Sequence, residues 1–150
     1  MTVIVTEDDF DLSDLYAKLR TPDIPPSPGA VTVFVGLVRE MNNDRPITSM
    51  TLEHYPGMTE KKLEAIRDQA MHRWPLTGVI IVHRVGKLGP NDQIVAVGAA
   101  SAHRQASFDA ANFIMDFLKT EAPFWKSENT SDGANWVSAR ETDNKAKRRW

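Results

Sequence analysis

Cysteine is absent from all 150 residues, and that absence alone excludes disulfide staples, thiolate metal sites and a cysteine nucleophile. Long apolar runs are missing as well. Nothing approaches the ~20 residues of a membrane span, and the opening MTVIVTEDDF lacks the basic start and apolar stretch of a signal peptide, so a cytoplasmic protein is expected. Nor is there an excess of one charge. A formal net charge of -2 predicts no general attraction to nucleic acid or anionic membrane, so any anion must be held by a local cluster of cations. The chain has no GxGxxG dinucleotide loop, no Walker loop, no HExxH and no GxSxG elbow, which removes the common cofactor and hydrolase signatures. Its histidines, His54, His72, His83 and His103, show no ligand spacing, so no metal site is predicted, and His72 and His83 read as surface or satisfied strand positions.

What is present is an ordinary globular composition. Hydrophobic residues at 41% and charged residues at 25% argue against disorder and against a fibrous class, and 150 residues are enough for one domain with a substantial core. Thr2 to Thr6 reads as a short strand, and DLSDLYAKLR as a helix in which Leu12, Leu15, Tyr16 and Leu19 recur at helical spacing, capped by Asp11 or Ser13. TPDIPPSPG, with four prolines in nine residues, is a stiff connector. Residues 1–28 therefore form an N-terminal strand, helix and Pro-rich connector within the single domain.

AVTVFVGLVR, residues 30 to 39, predicts a strand ending in Arg39, and EMNNDRPIT a mobile loop. SMTLEHY predicts a strand that PGMT turns into a helix capped by Thr59, with Leu63, Ile66, Ala70 and Trp74 as its buried stripe. GVIIVHRVG and QIVAVGAAS are strands separated by the turn-forming KLGPND, which suggests an antiparallel hairpin. From roughly Gln105 to Thr120, Ala106, Ala110, Phe113, Ile114, Phe117 and Leu118 follow helical spacing. Pro123 forces a bend after this helix, FWKSE and WVSAR are strand candidates joined by SDGAN, and the basic tail NKAKRRW is expected to be exposed. The order of elements predicts an α+β domain with a largely antiparallel sheet and two main helices.

Candidate chemistry follows the cations. Arg39 ends a strand, His103 and Arg104 precede a helix whose free backbone N–H groups suit a phosphate, Lys119 lies near that helix's far end, and Lys126 follows the bend. Taken singly, each has a plain structural explanation, since a lysine at a helix C-terminus complements the dipole and a strand-end arginine is usually solvated. If they converge, a lysine beside other cations and desolvated by Pro123, Phe124 and Trp125 would have a lowered pKa and could serve as nucleophile or proton carrier. Spacing does not decide between these readings.

The segments GAVTVFVGLVRE, LEHYPGMTEK, HRVGKLGPNDQIV, SAHRQASFDA and DFLKTEAPFWKSE, in this order, resemble the catalytic (large) subunit of molybdopterin synthase from about Gly29 to the C-terminal tryptophan. The resemblance implies an α/β hammerhead fold and a homodimer at the centre of a heterotetramer. Its partners would be small ubiquitin-like sulfur carriers ending in a Gly-Gly thiocarboxylate. The implied reaction is sulfur transfer to cyclic pyranopterin monophosphate (precursor Z), which forms the dithiolene of molybdopterin in molybdenum cofactor biosynthesis. No cofactor or bound metal is implied for the synthase itself. Carried over by position, Lys119 and Lys126 match the catalytic lysines. Leu37, Val38, Arg39, His103, Arg104, Ser127 and Glu128 match substrate-binding positions with them, and Arg140 is a further candidate, on its own or a neighbouring subunit. These residues lead to the expectation of a ring of Arg39, Arg104, Lys119 and Lys126. Two other readings compete: a non-catalytic module holding a phosphorylated small molecule or a partner's C-terminal tail, and a single-strand nucleic-acid binder using Phe124, Trp125 and the basic tail. The net charge opposes the second.

Overall fold

The structure, a computed structural model, describes residues 2–42, 44–130, 133–137 and 140–150. Parts of three expected segments, Asn43 of EMNNDRPIT, Ser131 and Asp132 of SDGAN, and Ser138 and Ala139 of WVSAR, lie outside the described residues. The elements run β1 (Thr2–Thr6), α1 (Leu12–Arg20), β2 (Ala30–Leu37), β3 (Met41–Asn42), β4 (Arg45–His54), α2 (Met58–Arg73), β5 (Leu76–Arg84), β6 (Gly86–Leu88), β7 (Gln93–Ser101), α3 (Arg104–Glu121), β8 (Phe124–Thr130), β9 (Gly133–Val137) and α4 (Glu141–Lys147). This is the expected α+β class, with α2 and α3 the two long helices and α1 and α4 shorter ones beside them. No helix among the described residues is long and apolar enough to cross a membrane.

Two sheets carry the strands. The first has the order β1-β5-β7-β2, antiparallel except for the β1–β5 pair; the second has the order β3-β4-β8-β9, with β6 also paired to β4. Period-two alternation explains the first sheet. Val79, Ile81, Val95, Val97 and Ala99 face Leu63, Ile66 and Ala70 of α2 and Ala110, Phe113, Ile114 and Leu118 of α3, whereas Ile80, Val82, Ala96 and Ala100 face Leu15 and Leu19 of α1. The central strands are therefore apolar on both faces, which is why GVIIV and IVAVGAA read as continuous runs.

The expected hairpin of β5 and β7 forms, but the connection contains a short excursion. Gly86, at φ 86°, turns the chain out of the first sheet so that β6 pairs with β4 of the second, and Asn91, at φ 69°, takes a left-handed position in the return turn. The second sheet buries Ile47, Met50 and Leu52 against Val38, Val85 and Leu88.

Two expectations are corrected and a third is refined. The stretch 40–48 is not all loop, because Met41 and Asn42 pair with Pro46 and Arg45, and Arg45 to Thr48 open strand β4. Thr59 does not cap α2. Gly57 occupies that position and its N–H donates to the Glu60 carboxylate, while Thr59 is completely buried in the first turn. The tail is largely exposed, as expected, with Asn144, Lys145, Arg148 and Arg149 at the surface, but it is anchored at its end. It forms α4 and then packs Trp150 edge-on against Trp74 and Phe113, at centroid distances of 5.5 and 5.7 Å, with its indole N–H donating to Asp116 at 2.6 Å.

Candidate active site

A cavity of about 620 Å³ opens where the edge of the first sheet, the second sheet and the C-terminal end of α3 meet. Each wall follows from local periodicity. Met115, Leu118, Lys119 and Ala122 line it at i, i+3, i+4 and i+7, one stripe of a helix. Lys126 and Glu128 line it from alternate positions of β8, and Ser127 between them is on the other face of that strand. From β2 come Phe34 to Leu37, followed by Arg39; from the C-terminal region come Arg140, Thr142 and Asp143.

The Pro123 bend sets the relation of the two lysines. Helix α3 ends at Glu121, and Ala122 turns to extended backbone at ψ 131° ahead of the proline. Strand β8 starts at Phe124 and returns Lys126 to the cavity lined by Lys119. Lys126 is opposite Leu52 on one side and Val137 on the other, in the middle of the second sheet. That burial, and then the Lys119 ammonium, pull its pKa from the ordinary lysine value down to about 8 against the opposing pull of Glu128. Val38, immediately before Arg39, is buried and held by both backbone groups, donating to Asp92 and accepting from Asn91. Arg39 therefore leaves the sheet from a fixed point.

The lining carries four cations, Arg39, Lys119, Lys126 and Arg140, against the carboxylates of Glu128 and Asp143. Among the described residues none of these cations has an ion-pair partner within 4.0 Å. A chain of net charge -2 thus holds a local excess of unpaired positive charge in a half-apolar cavity, an arrangement suited to anions.

Of the residues singled out in the sequence, Leu37, Arg39, Lys119, Lys126, Glu128 and Arg140 line this cavity, and Val38, His103, Arg104 and Ser127 do not. The expected ring is incomplete within one chain. Arg104 opens α3 and Lys119 lies near its end, so the helix separates them by about 22 Å at 1.5 Å per residue.

Four polar residues of the site were not singled out as functional: Thr142 and Asp143, which line the cavity, and two others. His83, expected at a surface or satisfied strand position, is buried, forms part of the cavity lining and stacks on Phe124 at 3.8 Å between ring centroids. Its Nδ1 donates to the Arg84 carbonyl at 2.8 Å, which leaves Nε2 as an acceptor. Burial, with the Lys119 and Lys126 charges, pulls it down to about 4 despite the Arg84 carbonyl, so it is neutral near pH 7. The usable signal was an ionisable residue in phase with Val79 and Ile81 on an inward face. The other is Asn42, which bonds Arg39, Arg140 and Glu128 and carries no local signal. Among the described residues no group of three or more His, Asp or Glu is placed to hold a metal ion.

The MoaE protein family profile matches residues 5–121. A catalytic subunit of molybdopterin synthase from Ralstonia nicotianae is 54% identical over 149 residues, covering 99% of this chain and 84% of that protein. One from Escherichia coli is 49% identical over 148 residues, covering 99% and 97%. Among solved structures, the molybdopterin biosynthesis MoaE protein from Burkholderia ambifaria superposes with a TM-score of 0.83 at 52% identity, over 99% of this chain and 97% of that one. With the fold, the cavity and these relatives in agreement, the chain belongs to the MoaE protein family.

Proposed function

We propose that this chain is the catalytic subunit of a molybdopterin synthase and works in the cytoplasm in molybdenum cofactor biosynthesis. The cavity is where sulfur passes from the C-terminal thiocarboxylate of a small carrier subunit to cyclic pyranopterin monophosphate. The observation that carries this reading is the pairing of Lys119 with the desolvated Lys126 beside two arginines that have no ion-pair partner among the described residues, in a chain with no overall positive charge.

Both reactants are anionic, so one site must accept negative charge twice. Arg39 and Arg140 hold the phosphate, and the apolar wall of Phe34, Met115 and Leu118 excludes water around the pterin. The thiocarboxylate sulfur attacks a side-chain carbon of the pterin as a C–O bond there breaks, and Lys119 stabilises the charge on the departing oxygen. Water then hydrolyses the acyl–sulfur bond, leaving the sulfur on the pterin and a carboxylate on the spent carrier. Lys126, with a pKa of about 8, has a neutral fraction at pH 7 that accepts a proton and returns it. Two sulfurs are needed, so a spent carrier leaves and a loaded one replaces it. A homodimer between two carriers completes the assembly. In it, His103 and Arg104, at the far end of α3 from Lys119, serve the substrate from a different chain than Lys119 does.

Thiocarboxylated carrier and cyclic pyranopterin monophosphate, mixed with this protein, should give the dithiolene product. Lys119→Ala should lose turnover by a factor on the order of 10²–10⁴ while still binding the carrier. A carrier that binds the unaltered protein without product formation would overturn the enzymatic reading in favour of a binding module.

A further inference from the structure

Asn42 is in a two-residue strand that the sequence suggested was a loop, yet its side chain joins three charged groups of the cavity. Its Oδ1 accepts from Arg39 Nη2 at 3.1 Å and from Arg140 Nη2 at 2.8 Å, and its Nδ2 donates to Glu128 Oε2 at 2.7 Å. Glu128 is itself buried, and it is anchored in β8 between β4 and β9.

One neutral oxygen therefore gathers two guanidinium groups from segments 98 positions apart in the chain, as counted from Asn42 to Arg140. Two like charges brought this close repel, and the cheapest way to hold them would be a carboxylate. Aspartate in this place would pair with both arginines and cancel the charge they offer. Asparagine supplies the same acceptor geometry without a charge, and its amide nitrogen satisfies the buried Glu128 carboxylate, which would otherwise turn toward the arginines. Among the described residues neither guanidinium has an ion-pair partner, so both keep positive charge to offer another anion.

We infer that Asn42 is a positioning residue: it sets Arg39 and Arg140 as one anion clamp while leaving their positive charge uncompensated, and it holds Glu128 out of that clamp. The bound group is an oxyanion of the substrate, a phosphate in the function proposed above, and the inference rests on that anion-handling reading of the cavity. Asn42 touches the arginines and not the reacting atoms, so its effect falls on substrate affinity more than on the chemical step.

The test compares Asn42→Asp, Asn42→Ala and the unaltered protein. Each is assayed with thiocarboxylated carrier over a range of pyranopterin concentrations, and each is titrated separately with inorganic pyrophosphate by calorimetry. Asn42→Asp should raise KM by about tenfold or more and abolish measurable pyrophosphate binding. Asn42→Ala should raise KM by a smaller factor, with kcat at saturation within about threefold of the unaltered protein. The order is diagnostic, because aspartate preserves volume and alanine does not, so a purely structural residue would give the reverse. Alanine worse than aspartate, or KM and pyrophosphate affinity within twofold in both variants, overturns the inference; product formation by the unaltered protein then still supports the proposed function. If the unaltered protein forms no product, the proposed function fails and the pyrophosphate titration decides the role of Asn42 by itself, weaker binding in both variants supporting it and unchanged binding overturning it.

Discussion

Thr59 and Pro123 are 64 positions apart in the chain, yet the Thr59 hydroxyl donates to the Pro123 carbonyl at 3.0 Å and accepts from the Tyr55 N–H at 3.0 Å. One completely buried side chain thus ties the start of α2 to the bend between the two cavity lysines. Thr59→Val keeps the shape and removes both bonds, stranding a carbonyl and an N–H. It should cost about 2–4 kcal/mol in denaturant unfolding, and Thr59→Ser should recover most of the loss.

Lys126 gives a pH dependence with a definite sign. Its pKa in the folded protein, about 8, is below the value of an unfolded lysine, so the folded state gives up the proton first. Below pH 8 both states are charged and folding carries the full cost of burying the ammonium, on the order of 3 kcal/mol. Between about pH 8 and 10.5 the unfolded chain binds more protons and stability rises with pH. Lys126→Met should therefore be more stable than the unaltered protein at pH 7, with the difference shrinking toward pH 10.5, and should lose product formation.

Lys119 and Lys126 are coupled, and the coupling can be read without turnover. After burial, the Lys119 charge is the next cause of the lowered Lys126 pKa. Removing it favours the ammonium form, so Lys119→Met should move the Lys126 titration upward from about 8. An NMR titration of the lysine side chains measures this, and an unmoved value would separate the two groups.

Trp150 should matter although it is the last residue. It packs against Trp74 and Phe113, donates to Asp116 and lies under the Arg73 guanidinium at 5.9 Å. Trp150→Ala should lower stability by about 2–3 kcal/mol, less than a fully enclosed tryptophan would cost. Because α4, which Trp150 follows, carries the cavity residues Thr142 and Asp143 and is preceded directly by Arg140, substrate affinity should fall with it, which a KM measurement checks.

The residues legible in the sequence were those whose cause is local. KLGPND announced a turn, Pro123 announced the helix end, and the continuous apolar runs GVIIV and IVAVGAA announced strands. Residues defined by distant partners were not legible. Met41 and Asn42 look like loop residues because a two-residue strand has no period, and only pairing with Arg45 and Pro46 makes them one. The tail KAKRRW reads as solvated charge because its lysines and arginines outnumber one tryptophan, and that tryptophan finds an aromatic cleft made by α2 and α3. The lysine pair was visible as a pair, but the burial that lowers Lys126 depends on Leu52 and Val137, which lie far from it along the chain.

Strand β6 has a mechanical consequence. Its three residues leave the β5–β7 hairpin, pair with β4 and return, so the backbone stitches one sheet to the other in the middle of a hairpin. Sliding or hinging the sheets apart would tear that stitch and expose Val85 and Leu88 together. The walls of the cavity therefore behave as a single rigid vessel that melts in one cooperative step, and guests enter without parting the sheets.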